Sequence, residues 1–495
     1  MMGYLERLDS YKDEMNKTLA ESVSIPSVVS GPVRASDGAE LPMGRAVHDA
    51  LLHMLECGRS MGFEAVNLDN LAGYIQFSAG SGPKSSLRSD SRADSEADPE
   101  EVKRCDIVGH IDVVPEGTGW TGDPYIMEIK DGVMYGRGTA DDKGPVIAAL
   151  YAMKAVKEEG PALKHDVRLV LGIDEETGSD SIDHYADKCG HPDMGFTPDG
   201  MFPLVNGEMG ILEYTLAQKL KPASSKDELR LTRLEAGTAV NIVPKDCRAV
   251  IAGDKQYFDG LIAKVREYAE ETGYKIKARK QGSSLCIEAA GKAAHGAHPE
   301  TGLNALSIMM GFLGRVDFAC RELNDYIDFY NEHIGFDLHG ERFGCKFEDD
   351  PSGPLILNAG TANIDEELAE VSIGIRYPVT FTEEQVISGI EQVLEGTSVG
   401  IVSGFTEPPI YMPSDTPMVE KLLRAYTDET GDHETGAMVE AGGTYAKMIH
   451  NTLAFGGMFP GEEDTMHQAD EKLSIDSFMK MARIYARAIV SLCCE

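Results

Sequence analysis

Apolar positions along this chain follow two rhythms. Leu5, Leu8, Met15 and Leu19 recur at near-helical spacing until Ile25-Pro26-Ser27 interrupts them, and Val47, Leu51, Leu52 and Leu55 do the same between Gly44 and Gly62. These spacings predict helices over 4–22 and 44–62. Extended patterns follow at 73–77 and at 105–109, where Cys105-Asp106-Ile107-Val108-Gly109 runs into His110-Ile111-Asp112. Val146, Ile147, Leu150, Met153 and Val156 then mark a helix over 145–159, stopped by Gly160. Strands at 167–173 and 194–196 complete an alternation of strand and helix that predicts an α/β domain with a mixed, mainly parallel sheet flanked by helices.

From about Met209 the pattern changes. Strands at 211–220, 283–290 and 371–377, with helices at 258–271 and 304–323, predict a separate α+β domain. Helices at 417–430 and 474–493 return the chain to the first, the latter with Phe478, Met481, Ala482, Tyr485, Ile489 and Leu492 as a core face. The expected division is 1–208 and 409–495 for the first domain and 209–408 for the inserted one. The stretch 80–103 is Ser, Asp, Glu and Arg with almost no apolar content, and is expected to be a flexible surface insertion.

Composition narrows the function. At 495 residues the chain has material for two domains, and Asp plus Glu at 82 against Lys plus Arg at 46 gives a formal charge of −36. Such a balance repels phosphate backbones and anionic lipid, so neither nucleic acid nor membrane is expected as a partner. The start of the chain lacks a signal-type apolar core and no apolar run approaches spanning length, which predicts a cytoplasmic protein. Nine cysteines, an odd count without metal-finger spacing, predict reduced thiols.

Chemistry concentrates at strand ends. His110 and Asp112, two apart on extended backbone, share a face, where a carboxylate can hold an imidazole in the tautomer a metal needs. Asp141 and Asp142 sit in the glycine-rich turn Gly136-Arg137-Gly138-Thr139-Ala140-Asp141-Asp142-Lys143-Gly144-Pro145. A dinucleotide loop is excluded there, because Asp141 replaces the third glycine and two acids would repel a pyrophosphate. Asp174-Glu175-Glu176 and Asp199 follow the next two strands, where open α/β sheets place their ligands. Carboxylates and imidazole without thiolate suit two hydrolytic metal ions sharing a bridging carboxylate.

Gly109-His110-Ile111-Asp112-Val113-Val114-Pro115, the Tyr135 to Pro145 stretch and Asp174-Glu175-Glu176 resemble the co-catalytic zinc peptidases that include carnosinases, aminoacylases and desuccinylases. Gly442-Gly443-Thr444-Tyr445-Ala446-Lys447, Ala454-Phe455-Gly456-Gly457-Met458-Phe459-Pro460-Gly461 and His467-Gln468-Ala469-Asp470-Glu471 extend the likeness over nearly the whole chain, nearest to the monomeric, large-lid branch of bacterial Xaa-His dipeptidases. The resemblance implies a zinc-exopeptidase-like catalytic domain with the α+β domain as its lid. One metal would be held by His110, Asp141 and Asp199, the other by Asp141, Glu176 and His467, with Asp141 bridging. Glu175 would be the general base for the attacking water and Asp112 would orient His110. A cis peptide is implied between Asp141 and Asp142. His295, in Gly291-Lys292-Ala293-Ala294-His295, would stabilise the oxyanion, while Asn241, Arg376, Gly442 and Gly443 would contact substrate.

The implied activity is hydrolysis of unblocked dipeptides, Xaa-His or β-alanyl types included, by a monomer with two divalent ions, zinc first and manganese or cobalt acceptable to the same ligands. An amidohydrolase of N-acyl amino acids is the enzymatic alternative. A non-hydrolytic metal- or peptide-binding protein is the alternative from another class.

Overall fold

The computed structural model describes residues 3–35, 38–79, 102–222 and 225–494. Apart from its last two residues, the polar stretch 80–103 lies outside the described residues. The chain divides into two compact units, one of 1–207, 412–438 and 443–495, the other of 208–411 and 439–442.

In the first unit, seven strands run in the order Val205–Glu208, Thr452–Ala454, Met194–Thr197, Arg104–His110, Asp166–Gly172, Ala72–Phe77 and Glu64–Leu68. The four from Thr452–Ala454 to Asp166–Gly172 are mutually parallel, and antiparallel pairs flank them on both sides. Arg104–His110 lies between the next two strands of this sheet in sequence, Asp166–Gly172 on one side and Met194–Thr197 on the other. Residues alternate between the faces of this sheet, as period-two geometry requires. Ile107, Leu169, Leu171 and Ile75 join the core shared with helices Lys143–Glu159 and Ile475–Cys493. Val108, Val170 and Ala72 pack with Ile182 and Tyr185 of helix Asp180–Cys189 on the other face.

The helix Lys143–Glu159 is buried almost all round, from Lys143 to Met153 without a break. Burial on every side suits a helix with few polar residues at the centre of a layered domain. It begins directly after Asp142, so the turn bearing Asp141 and Asp142 is anchored to a deeply buried element of the unit.

In this unit two expectations need correcting. The continuous N-terminal helix is two helices, Tyr4–Asp9 and Lys12–Val23, because Tyr11 leaves helical geometry and its ring packs beside Tyr151 while its hydroxyl bonds Glu158. Leu52, expected in a core stripe, is 41% exposed on helix Arg45–Ser60. Ala50, Met54 and Gly58 take the inward positions instead.

The second unit is an eight-stranded, wholly antiparallel sheet in the order Lys275–Gln281, Ser284–Ala290, Asp246–Ala252, Arg230–Ala236, Ile356–Ile364, Leu368–Tyr377, Gly210–Lys219 and Gly400–Glu407. Helices Gln256–Thr272, Ala305–Leu313, Arg321–His333 and Glu383–Leu394 share its core, which makes the unit α+β. The helix expected over 304–323 ends at Leu313, and the next begins at Arg321. Val316 and Phe318, two residues apart, both enter the core from the non-helical segment between these helices. Asn324 closes the turn by accepting from the Phe318 N–H and donating to its carbonyl.

Candidate metal centre

The parallel strands deliver their acidic and imidazole side chains to one edge. His110 ends its strand, Asp174, Glu175 and Glu176 follow Asp166–Gly172, and Asp199 follows Met194–Thr197. The turn before helix Lys143–Glu159 brings Asp141 to the same edge. His467, held at φ 61° in the segment before the last helix, closes it.

Asp141 faces an imidazole with each oxygen. Its Oδ1 lies 2.9 Å from His110 Nε2 and its Oδ2 2.9 Å from His467 Nε2. His467 Nε2 is also 3.0 Å from Glu176 Oε2, and His110 Nε2 is 3.7 Å from Asp199 Oδ2. Donor atoms of His110, Asp141 and Glu176 lie within 4.8 Å of one another, as do those of His110, Glu175 and Asp199. Glu175 thus offers an oxygen beside the expected ligands of one ion. The Asp141–Asp142 peptide is cis.

A second layer fixes these groups. His110 Nδ1 is 3.1 Å from the Asp112 carbonyl oxygen and 3.3 Å from its Oδ1, so the ring presents Nε2 to Asp141. The Asp112 carboxylate accepts the backbone N–H of Glu175 at 3.2 Å and of Glu176 at 3.1 Å. Asp142 turns away from Asp141 and accepts the His110 N–H. A side chain at Gly109 would collide with that carboxylate, a close approach only glycine allows.

The electrostatics show what the centre lacks. Burial, then the charge of Asp199, push Glu175 well above the ordinary carboxylate range, and the same two causes raise Asp142. Burial would also raise Asp141, but hydrogen bonds from His110 and His467 more than reverse it and hold it below the ordinary range. Hydrogen bonds to Asp141 and then Glu176 push His467 up to about 11. The imidazoles are thus recruited as cations by crowded carboxylates. Clustered oxygen and imidazole donors, with carboxylates crowded about His110 and Asp141, fit divalent cations.

The remaining expected site residues lie in the second unit or at its chain boundary. Asn241 and His295 are neighbours there: Ile242 bridges His295, and Gly296 N–H donates to the Asn241 carbonyl. Both side chains are exposed. Arg376 is 9% exposed on strand Leu368–Tyr377, and its Nη1 has no hydrogen-bond partner among the described residues. Gly442 and Gly443 lie where the chain passes back into the first unit.

Sequence reasoning gave Glu471 no role and did not place Tyr445 beside His110. Glu471 is fully buried and accepts backbone N–H groups of Gly138, Ala140 and Asp141. Tyr445 sets its ring edge-on to His110, with its hydroxyl 3.2 Å from Asp174 Oδ1. Glu471 does stand four residues after His467, but a buried acid serving backbone donors has no spacing signature. Tyr445 falls in the motif that starts at Gly442, expected by resemblance to floor the substrate site, whereas its place against the sheet is marked by Gly172, where a Cβ would strike its ring.

Residues 107–491 match the family described as peptidase family M20/M25/M40. "Putative dipeptidase YtjP" of Bacillus subtilis is 32% identical over 490 residues, covering 97% of each chain. "Beta-Ala-Xaa dipeptidase" of Lactobacillus delbrueckii subsp. lactis is 32% identical over 500 residues, covering 99% of this chain and 98% of its own. Among solved structures, human carnosine dipeptidase 1 shares the fold with a TM-score of 0.53 at 16% identity, covering 99% of this chain and 98% of that one. With its parallel strand ends supplying oxygen and imidazole donors, and with the match running from Ile107 through His467, the chain is a member of peptidase family M20/M25/M40.

Proposed function

We propose that the protein is a metal-dependent dipeptidase that hydrolyses unblocked dipeptides, β-alanyl and Xaa-His types included, with two divalent ions, zinc first. The observation that carries the two-ion reading is Asp141, whose two oxygens each face a different imidazole. His110, Asp141 and Asp199 would hold one ion and Asp141, Glu176 and His467 the other. When bound, such ions supply Lewis acidity that polarises the scissile carbonyl and eases deprotonation of water.

The chain's own residues do the rest. Glu175, on the same edge and kept from the ligand backbone only by one peptide, takes the proton of the attacking water and passes it to the leaving amine. Asp112 holds the His110 ring and, through their N–H groups, the Glu175–Glu176 turn. Arg376 supplies a guanidinium with an unused buried Nη1 for the substrate's free carboxylate, and such a clamp limits the enzyme to short peptides. His295 and Asn241 are proposed as oxyanion and substrate contacts from the second unit, which would serve as the lid. The relatives named as dipeptidases support this substrate class.

The test is a panel of dipeptides, their N-acetylated forms and N-acyl amino acids, assayed with zinc and manganese supplied separately. Cleavage of unblocked dipeptides alone is expected. Preference for the acylated forms would make the protein an acylase, and no hydrolysis with either metal would make it a binding protein.

A further inference from the structure

We propose that Glu471 is a positioning residue, whose carboxylate locks the loop bearing Asp141 to the loop bearing His467 so that the two sides of the metal centre keep a common separation. This rests on the metal-dependent reading above.

Glu471 belongs to the His467 loop, and its side-chain hydrogen bonds run to the other. Oε1 accepts the N–H of Ala140 at 2.9 Å and of Asp141 at 3.2 Å. Oε2 accepts the N–H of Gly138 at 3.1 Å and Nη1 of Arg137 at 2.8 Å. The backbone repeats the link, since Gly136 N–H donates to the Glu471 carbonyl at 3.0 Å. Four donors on one carboxylate, fully buried and with a single charged partner, are far more than a solvated surface acid would collect.

The neighbouring residue makes a different staple. Asp470 accepts from Thr121 N–H and hydroxyl, tying the same turn to the loop that carries Trp120. Trp120 in turn has the Arg137 guanidinium 5.2 Å from its ring centroid. Asp470 is half-buried, and among the described residues its side-chain hydrogen bonds run to Thr121 and not to the Asp141 loop, so the adjacent acids separate a general fastening of the turn from a specific hold on the metal loop.

A carboxylate is needed because only an anion with two oxygens can accept from three backbone amides and an arginine together. Glu471→Gln keeps the volume but turns one oxygen into a donor that faces other donors. Residues that orient metal ligands typically contribute about ten- to hundredfold in metal affinity, and that is the loss expected here.

The experiment is a zinc titration of metal-free protein against a chromophoric chelator, with the fluorescence of the chain's one tryptophan followed in parallel. Wild type, Glu471→Gln, Asp470→Asn and Arg137→Met are compared, and thermal melting is recorded with and without zinc. Glu471→Gln should bind zinc about ten- to hundredfold more weakly, with a smaller zinc-induced rise in Tm. Asp470→Asn should bind as wild type, and Arg137→Met should fall between them because the three backbone donors keep their acceptor. Should Glu471→Gln fail to fold, the double variant Arg137→Met with Glu471→Gln strands no buried charge and must show the same loss. Wild-type zinc affinity in Glu471→Gln or in that double variant, or an equal loss in Asp470→Asn, overturns the proposal. Wild-type protein that binds no zinc would instead bring down the metal-dependent reading on which it rests.

Discussion

Asp112 Oδ2 accepts the backbone N–H of Glu176 at 3.1 Å, so the residue that steadies the His110 ring also sets the turn that carries the acids of the next strand. One buried carboxylate therefore fixes donors from two strand ends. Asp112→Ala should lower metal affinity by about ten- to hundredfold and lower turnover with it. Asp112→Asn, which keeps one acceptor oxygen, should lose less. Chelator competition checks the order, and wild-type affinity in the alanine variant would refute this role.

Glu175→Gln separates chemistry from metal binding. General bases contribute typically about 10²–10⁴ to the rate, so turnover should fall by that much while metal content is unchanged. Elemental analysis beside kcat reads both quantities. A variant that loses metal in proportion to activity would assign Glu175 to the ligand set, where its oxygen already lies close to donors of His110 and Asp199.

His110, Glu176 and Asp199 were legible in the sequence because each ends or follows a local, strongly apolar strand whose end is easy to place, and Asp141 because it stands in a glycine-rich turn ahead of an apolar helix. Parallel pairing puts the strand ends of the other three on one edge, and the turn before helix Lys143–Glu159 brings Asp141 to them. Glu471 was not legible as a functional residue, since its partners are backbone amides that carry no residue identity. The helix over 304–323 misled for a related reason: Val316 and Phe318 continue an apolar pattern, but they fill the core from a turn that Asn324 closes. Both failures concern backbone hydrogen bonding fixed by distant or irregular segments, which side-chain periodicity does not report.

Asp141→Ala tests the bridging assignment. It should remove both ions, whereas Asp199→Ala and Glu176→Ala should each weaken mainly one. Metal content after gel filtration, by elemental analysis, distinguishes the cases. An Asp141→Ala protein that retains full metal content contradicts the shared-ligand geometry.

Proton release on metal binding follows from His467. Its hydrogen bonds to Asp141 and Glu176 raise it to about 11 in the metal-free centre, so at pH 8 it carries a proton that a metal must displace. Zinc binding at that pH should release a proton, measurable by calorimetry in buffers of different ionisation enthalpy, and His467→Gln should abolish that part. In the metal-free protein the sign is that of a raised base: the stabilisation is fully present below the unfolded imidazole's pKa, about 6.5, and is lost as pH rises through about 11. The Tm difference between metal-free wild type and His467→Gln should therefore shrink toward high pH. A difference that grows with pH, or binding heats independent of buffer, would show that His467 is neutral there.

Arg376 offers the sharpest test of substrate class. Burial pulls its guanidinium below the ordinary arginine value, with Glu213 and Glu407 opposing, and Nη1 is left without an acceptor. An unsatisfied buried donor on a charged group is costly unless something completes it, and a dipeptide's terminal carboxylate has the matching planar shape. A hydrogen bond to a charged group contributes about 1.5–3 kcal/mol, so Arg376→Ala should lower kcat/KM for dipeptides by about ten- to hundredfold. Arg376→Lys should recover little, because an ammonium cannot reproduce the fork. The decisive comparison uses dipeptide amides, which lack the carboxylate: wild type should cleave them as poorly as Arg376→Ala cleaves the free dipeptide, and the substitution should cost nothing further. If Arg376→Ala reduces amide and acid cleavage by the same factor, Arg376 supports the sheet of the second unit and some other group reads the substrate's terminus.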